Sequence, residues 1–174
     1  MKRFMLVIAM AFCAALPAHA EVVSSAPNGF VSRHVVTVPM SPAAAYDRFV
    51  RVQDWWDGAH TYSQSAANLR VTARPGGAWI ERLPNNGFVE HMRVINAQRG
   101  KTLRFDGGLG PLQTMPARSV MDVSFALDGA GAKVTMTYSV GGYFSDGAAQ
   151  LAPGVDMVLG QAMARYAQVS GPGR

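Results

Sequence analysis

The chain is 174 residues long, 49% hydrophobic and 16% charged, with a net charge of +5 and a single cysteine. One cysteine leaves no room for a disulfide scaffold or a thiolate metal site. The basic residues are scattered and never interleaved with aromatics, which argues against a nucleic-acid partner.

In chain order, Lys2 and Arg3 precede an apolar run from Phe4 to Leu16, and Ala18-His19-Ala20 has the small-x-small pattern of a signal-peptidase site. Residues 1–20 are therefore expected to be a secretory signal cleaved after Ala20, and the protein to be periplasmic or secreted. Cys13 follows Phe12 rather than a small residue, so lipid attachment is not expected. Cleavage leaves 174 − 20 = 154 residues, cysteine-free, with 14 − 11 = +3 net charge, enough for a single domain with a real core. The mature chain has no second apolar stretch near ~18 residues, so no stable membrane span is expected after cleavage.

Residues 21–29, EVVSSAPNG, read as a flexible lead, and residues 30–174 as one domain. RHVVTVPM reads as a strand with Val36 and Val38 on one face. Ser41 then caps a helix that begins at Pro42 and propagates through three alanines. Asp54-Trp55-Trp56-Asp57 follows on a short helical or turn segment. From residue 68 the period becomes two, giving six strands in sequence: NLRVTAR, AWIERL, FVEHMRVINA, KTLRF, RSVMDVSFALD and AKVTMTYSV. Met121, Val123, Phe125 and Leu127 share one face, as do Val134, Met136, Tyr138 and Val140, so one side of the sheet needs a cover. Helical spacing of Val155, Leu159, Ala162, Met163, Tyr166 and Val169 supplies it, with Gly171-Pro172 as the stop.

This order resembles the helix-grip fold of the SRPBCC superfamily, which holds START lipid-transfer domains and polyketide cyclases. Within it the chain is similar to the activator-of-heat-shock-protein-90-ATPase-like branch. The resemblance rests on Trp55-Trp56, Arg74-Pro75-Gly76-Gly77, Gly87, Leu103-Arg104-Phe105 and Val155-Asp156-Met157-Val158-Leu159. HTYS, ERLPNNG and GPLQ point to an exported bacterial subgroup. The resemblance implies an α+β fold in which a curved antiparallel sheet of about seven strands wraps a long C-terminal helix, with a cavity between them for a hydrophobic molecule or lipid. It does not imply ATPase chemistry, because no Gly-rich phosphate loop ending in Lys-Ser/Thr occurs.

Within that frame Trp55 is expected to be structural and Trp56 to edge the cavity mouth, since neighbours on a helix point ~100° apart. His60 and Tyr62 are candidate polar groups at the entrance. Glu81, between Trp79 and Leu83, and Glu90, between Phe88 and Met92, depend on the hairpin loop 84–87. A two-residue loop puts both carboxylates on the apolar face, where burial would raise at least one pKa. A three-residue loop sets His91 near Glu81 and Arg82 near Glu90 on opposite faces. The two-residue case is taken as the expectation. Met92, Met136, Met157 and Met163 are candidate liners of a deformable cavity. The candidate ligand-binding set is thus Trp56, His60, Tyr62, Trp79, Glu81, Glu90, Met92, Tyr138 and Met163. GLGPLQ and FSDGAAQLAPG are candidate gates.

No catalytic residue, metal site or cofactor is assigned: His34, His60 and His91 lack metal-ligand spacing, and no G-x-S-x-G elbow occurs. The expected function is an exported carrier of a hydrophobic small molecule or lipid. The alternatives are a cyclase, isomerase or hydrolase using a cavity carboxylate or His60, and a protein-interaction module whose partner the sequence does not name.

Overall fold

Alternating apolar residues and short turns produce one eight-stranded antiparallel sheet, and the computed structural model describes it over residues 19–168, with side chains from Val22 onward. The strands are β1 (His19–Ala26), β2 (Gly29–Val38), β3 (Leu69–Val71), β4 (Ala78–Arg82), β5 (Phe88–Gln98), β6 (Thr102–Gly107), β7 (Ala117–Asp128) and β8 (Gly131–Gly142). Their order across the sheet is β1-β2-β8-β7-β6-β5-β4-β3. Helix α1 (Pro42–Val50) packs on β7 and β8, and helix α2 (Ala152–Gln168) packs on β1 and β2. This is the helix-grip arrangement. Residues 1–18 of the expected secretory segment, and the Gly171-Pro172 stop, lie outside the described residues.

The lead expected at 21–29 is a correction: its first six residues complete β1. β2 pairs with β8 along one edge and would otherwise present a second edge of unpaired amides. The Val-Val-Ser-Ser run fills that edge, turning back through Pro27-Asn28 and pairing Ala26 with Gly29. A register shift between Val22 and Ser24 leaves Val23 outside the ladder, which is why the segment lacks clean alternation.

Helix α1 starts as its sequence dictates, with the Ser41 side chain accepting from the Ala44 amide and Pro42 in the first turn. Helix α2 begins at Ala152, three residues before the first of its periodic apolar positions. Pro153 is accommodated because first-turn amides have no intrahelical acceptor.

The core gathers where the two helices meet the sheet. The Trp55 ring lies 4.9 Å from Phe49, 5.7 Å from Tyr166, 5.9 Å from Trp56 and 6.3 Å from Trp79, mostly edge to face. Its indole N–H donates to the Phe49 carbonyl. The Tyr166 hydroxyl donates to the Ala45 carbonyl at 2.8 Å. In return, buried Arg48 donates through Nε to the Tyr166 carbonyl at 3.0 Å, near the negative end of the α2 dipole. These bonds join α1 to the last turns of α2. On β7 the apolar face is buried at Met121, Val123 and Phe125, but Leu127 lies near the end of its strand and is 74% exposed.

Trp55→Ala should therefore cost about 3–5 kcal/mol in urea unfolding, through lost burial and the cavity left behind. Leu127→Ala should change stability by less than about 0.5 kcal/mol.

Candidate functional site

The helix that covers the sheet is anchored at its C-terminal end through Arg48 and Tyr166, and beside its first turns a space opens between helix, sheet and loops. The space between is a cavity of about 620 Å³. Val155, Val158 and Leu159 of α2 form one wall. Trp56 with residues 59–62 forms a second, Leu109-Gly110-Pro111 a third, and His91 of β5 reaches in from the sheet. Gln150, Leu151 and Gly154 complete the rim, so both candidate gate segments border the opening.

The presence of His91 follows from two local features. Pro84 has no amide hydrogen, so it cannot donate to the Gly87 carbonyl across a two-residue turn. Leu83 makes that bond instead, at 2.8 Å, while the Gly87 amide donates to the Pro84 carbonyl at 3.1 Å. The left-handed residues are Asn85 (φ 56°) and Asn86 (φ 60°), not Gly87. Glu81 consequently pairs with Val89, and Ile80 with Glu90. The expectation that Glu81 and Glu90 share the apolar face is thus overturned. Glu81 is buried within the grip, and Glu90 sits on the outer face beside Arg93 (2.7 Å) rather than Arg82.

The register then slips by one residue between Ile80 and Trp79, so His91 is an extra residue on β5 and both His91 and Met92 turn inward. Gly107, at φ +148°, makes room for this bulge on the neighbouring strand: a Cβ there would lie 2.5 Å from the His91 carbonyl oxygen. The Gly108 amide donates to that same carbonyl at 3.0 Å.

The hairpin parity places the His91 imidazole against a fully enclosed carboxylate. His91 Nε2 lies 3.1 Å from Glu81 Oε2, with the two side chains 6% and 0% exposed. Glu81 also accepts from the Ser63 amide at 2.5 Å and the Tyr62 amide at 3.2 Å. Burial pushes the Glu81 pKa up, but the bonds from Ser63, Tyr62 and His91 outweigh it, and the carboxyl is held below its ordinary value. Burial lowers the His91 pKa more than Glu81 raises it, so the imidazole is neutral near pH 7. An ionised Glu81 only accepts, which fixes the proton on Nε2 and leaves Nδ1 as an acceptor. The result is a buried dyad rather than a solvent-exposed salt bridge.

Among the sequence candidates, Trp56, His60 and Tyr62 line the cavity. The Trp56 indole donates to the His60 carbonyl at 3.2 Å, and the Tyr62 hydroxyl to the Gly110 carbonyl at 3.2 Å. Trp79, Met92, Tyr138 and Met163 are buried in the core and do not reach the cavity. Tyr138 instead accepts from the Leu109 amide at 3.1 Å and bonds Ser119, holding the third wall in place. Of the described methionines only Met157 borders the space. His91 itself was legible only as a neighbour of Glu81, because a one-residue bulge leaves no mark on a period-two pattern.

A second polar cluster pins the first turn of α2. Ser32 and His34 lie on the inner face of β2 and are buried. Ser32 Oγ donates to Asp156 Oδ1 at 2.6 Å and lies 2.8 Å from His34 Nε2, which is itself 3.3 Å from Asp156. His34 Nδ1 is buried without a partner. Desolvation lowers the His34 pKa, and Asp156 only partly restores it.

No protein-family profile matches this chain, and no curated protein matches it significantly. Solved structures do. Protein MLL2253 from Mesorhizobium loti is 14% identical, covers 79% of this chain and 94% of its own, and superposes with a TM-score of 0.57. Mll3558 from Rhizobium loti is 20% identical over 78% of this chain and 95% of its own, with a TM-score of 0.52. Ms6760 from Mycobacterium smegmatis is 14% identical over 92% of this chain and 100% of its own, with a TM-score of 0.55. These likenesses establish the fold, a sheet closed by a C-terminal helix.

Folded-state pKa values below 6.5 at His34 and His91 mean that the unfolded chain binds protons first as pH falls. Their contribution to stability is complete above pH 6.5 and is lost as pH drops below it toward the depressed folded values. Glu81 adds a further loss below about 4.5. Thermal unfolding should give a flat Tm above neutrality and a decline from pH 6.5 to 5, shallower in a His34→Gln, His91→Gln double variant.

Proposed function

We propose that the protein is an exported carrier of a hydrophobic small molecule or lipid, held between the sheet and α2, and that it belongs to the SRPBCC superfamily its sequence resembles. The cavity carries this reading. Its 620 Å³ falls within the roughly 300–1,000 Å³ of small-molecule sites, and its walls are mainly Trp, Leu, Val, Met and Pro side chains. Removing an apolar ligand from water would supply about 25 cal/mol per Å² buried, before the costs of ordering it. A cleavage point after Ala20 would leave residues 21–26 of β1 on the mature chain.

A second reading, an enzyme working by proton transfer, draws on the Glu81–His91 pair, of which His91 lines the cavity and Glu81 is buried behind it. Glu90, on the outer face with Arg93, has no part in it. Turnover abolished by Glu81→Gln with ligand affinity retained would favour the enzyme.

The deciding measurement is native and denaturing mass spectrometry on protein purified from the exported fraction. The carrier reading expects a chain beginning at Glu21 with an apolar molecule released only on unfolding. A second measurement uses Val158→Trp, which fills the cavity from α2 and should lower affinity for an apolar naphthalene probe at least about tenfold with little change in Tm. A clean chain that binds no apolar probe overturns the carrier.

A further inference from the structure

The polar side chains around the cavity differ in what they have left to offer. The Thr61 hydroxyl donates to the Gly58 carbonyl at 2.7 Å and accepts from the Ser65 amide at 2.9 Å. The Tyr62 hydroxyl and the Trp56 indole are each committed to a backbone carbonyl. His60 and Gln150 are exposed at the rim, where water serves them. His91 is the exception. Its Nε2 is bound to Glu81, and among the described residues its Nδ1 has only the Gln113 amide nitrogen at 3.4 Å, a group that makes a shorter bond, 3.0 Å, to the Glu90 carbonyl. A buried acceptor lone pair with so long a contact is under-satisfied. The rest of the dyad prevents the ring from turning into a donor there: an enclosed carboxylate holds the proton on Nε2, and Tyr62 (6.0 Å) and Trp79 (6.4 Å) flank the ring.

We propose that His91 Nδ1 is the polar anchor of the cavity and that the ligand class is an apolar molecule carrying a hydroxyl donor, a phenol or an enol, which gives its hydrogen bond to Nδ1 while its hydrocarbon body packs against Val155, Val158 and Leu159. This rests on the carrier reading of the same cavity and narrows it. Glu81 acts as a positioning residue, since its bonds to Ser63, Tyr62 and His91 select the tautomer that accepts. A carboxylate ligand is disfavoured, because it would bring a second acceptor to a neutral ring beside an anionic Glu81. An ether or pure hydrocarbon would leave Nδ1 with only its long Gln113 contact, and the site would bind it less tightly for want of a good hydrogen bond there.

Two probes of nearly equal shape separate these cases: 1-naphthol, which donates, and 1-methoxynaphthalene, which does not. Calorimetric titration of the mature protein should show 1-naphthol binding about tenfold tighter. His91→Phe should remove that preference while leaving 1-methoxynaphthalene within about twofold of its original affinity. Nitrogen-15 spectra of the unaltered protein provide a readout that does not depend on the variant folding. They should place the proton on Nε2, and 1-naphthol but not 1-methoxynaphthalene should shift Nδ1. In Glu81→Gln the ring should become a mixture of tautomers. Equal binding of the two probes with Nδ1 unmoved overturns the anchor and leaves the carrier standing. Failure of both probes to bind overturns both.

Discussion

Everything about this molecule depends on how one apolar sheet face is kept from water. Eight strands span about 34 Å at their usual spacing, whereas α2 is one helix about 10 Å wide and, with 17 residues, about 26 Å long. A single helix cannot cover such a face by contact alone. The sheet curls around it, and α1 with the Trp55-Trp56 segment closes part of what remains. The cover is tight where Phe49, Trp55, Tyr166 and Phe125 interlock and Arg48 grips the last turn of α2. At the opposite end polar bonds from Asp156 to β2 hold the helix instead, and the cavity is what the helix leaves uncovered there.

That asymmetry explains where polar groups are tolerated inside the grip. Beneath the aromatic cluster the inward residues are mostly apolar, such as Met121, Val123 and Phe125 on β7 and Val134, Met136 and Tyr138 on β8, with Ser119 further along β7. Toward the first turns of α2 the inward residues become Ser32 and His34 on β2, and Glu81 and His91 on β4 and β5. Each group holds a histidine against a carboxylate, yet the two differ in purpose. Asp156 belongs to α2 itself, so its bonds to Ser32 and His34 fix the height of the cavity wall. Glu81 belongs to the sheet, and its bonds to the Tyr62 and Ser63 amides tie down the loop that forms the opposite wall.

The sequence displays the parts of this design that repeat. Period-two alternation marks seven of the eight strands, Ser41-Pro42 marks the start of α1, and the spacing from Val155 to Tyr166 marks α2. These are legible because burial acts on every turn or every second residue. What it conceals are single-residue events. β1 is an edge strand with a bulge at Val23, and its Val-Val-Ser-Ser run carries no alternation to read. The missing amide hydrogen of Pro84 sets the parity of its hairpin, yet the Asn-Asn-Gly that follows invites the opposite parity. Trp56, His60 and Tyr62 at the mouth could be anticipated from residue type and proximity. His91 could be placed beside Glu81 only by choosing the three-residue parity, and the bulge that also turns Met92 inward, which Gly107 permits from the adjacent strand, leaves no mark in the pattern.

The same hairpin bears on how much the fold can say about ligand choice. Proteins with 14–20% identity share the sheet and its helix with this chain, because those elements need only hydrophobicity at the right period. The parity of the β4–β5 hairpin carries no such tolerance: shifted by one residue, the imidazole would face water and Glu81 would be an enclosed charge short of a donor. Such a charge is costly to leave with a donor missing, so the hairpin, the histidine and the carboxylate stand or fall together. The cavity arises from the shortage of cover that the fold itself imposes. The polar chemistry within it rests on Pro84, His91 and Glu81, where ligand choice can differ between proteins whose backbones superpose.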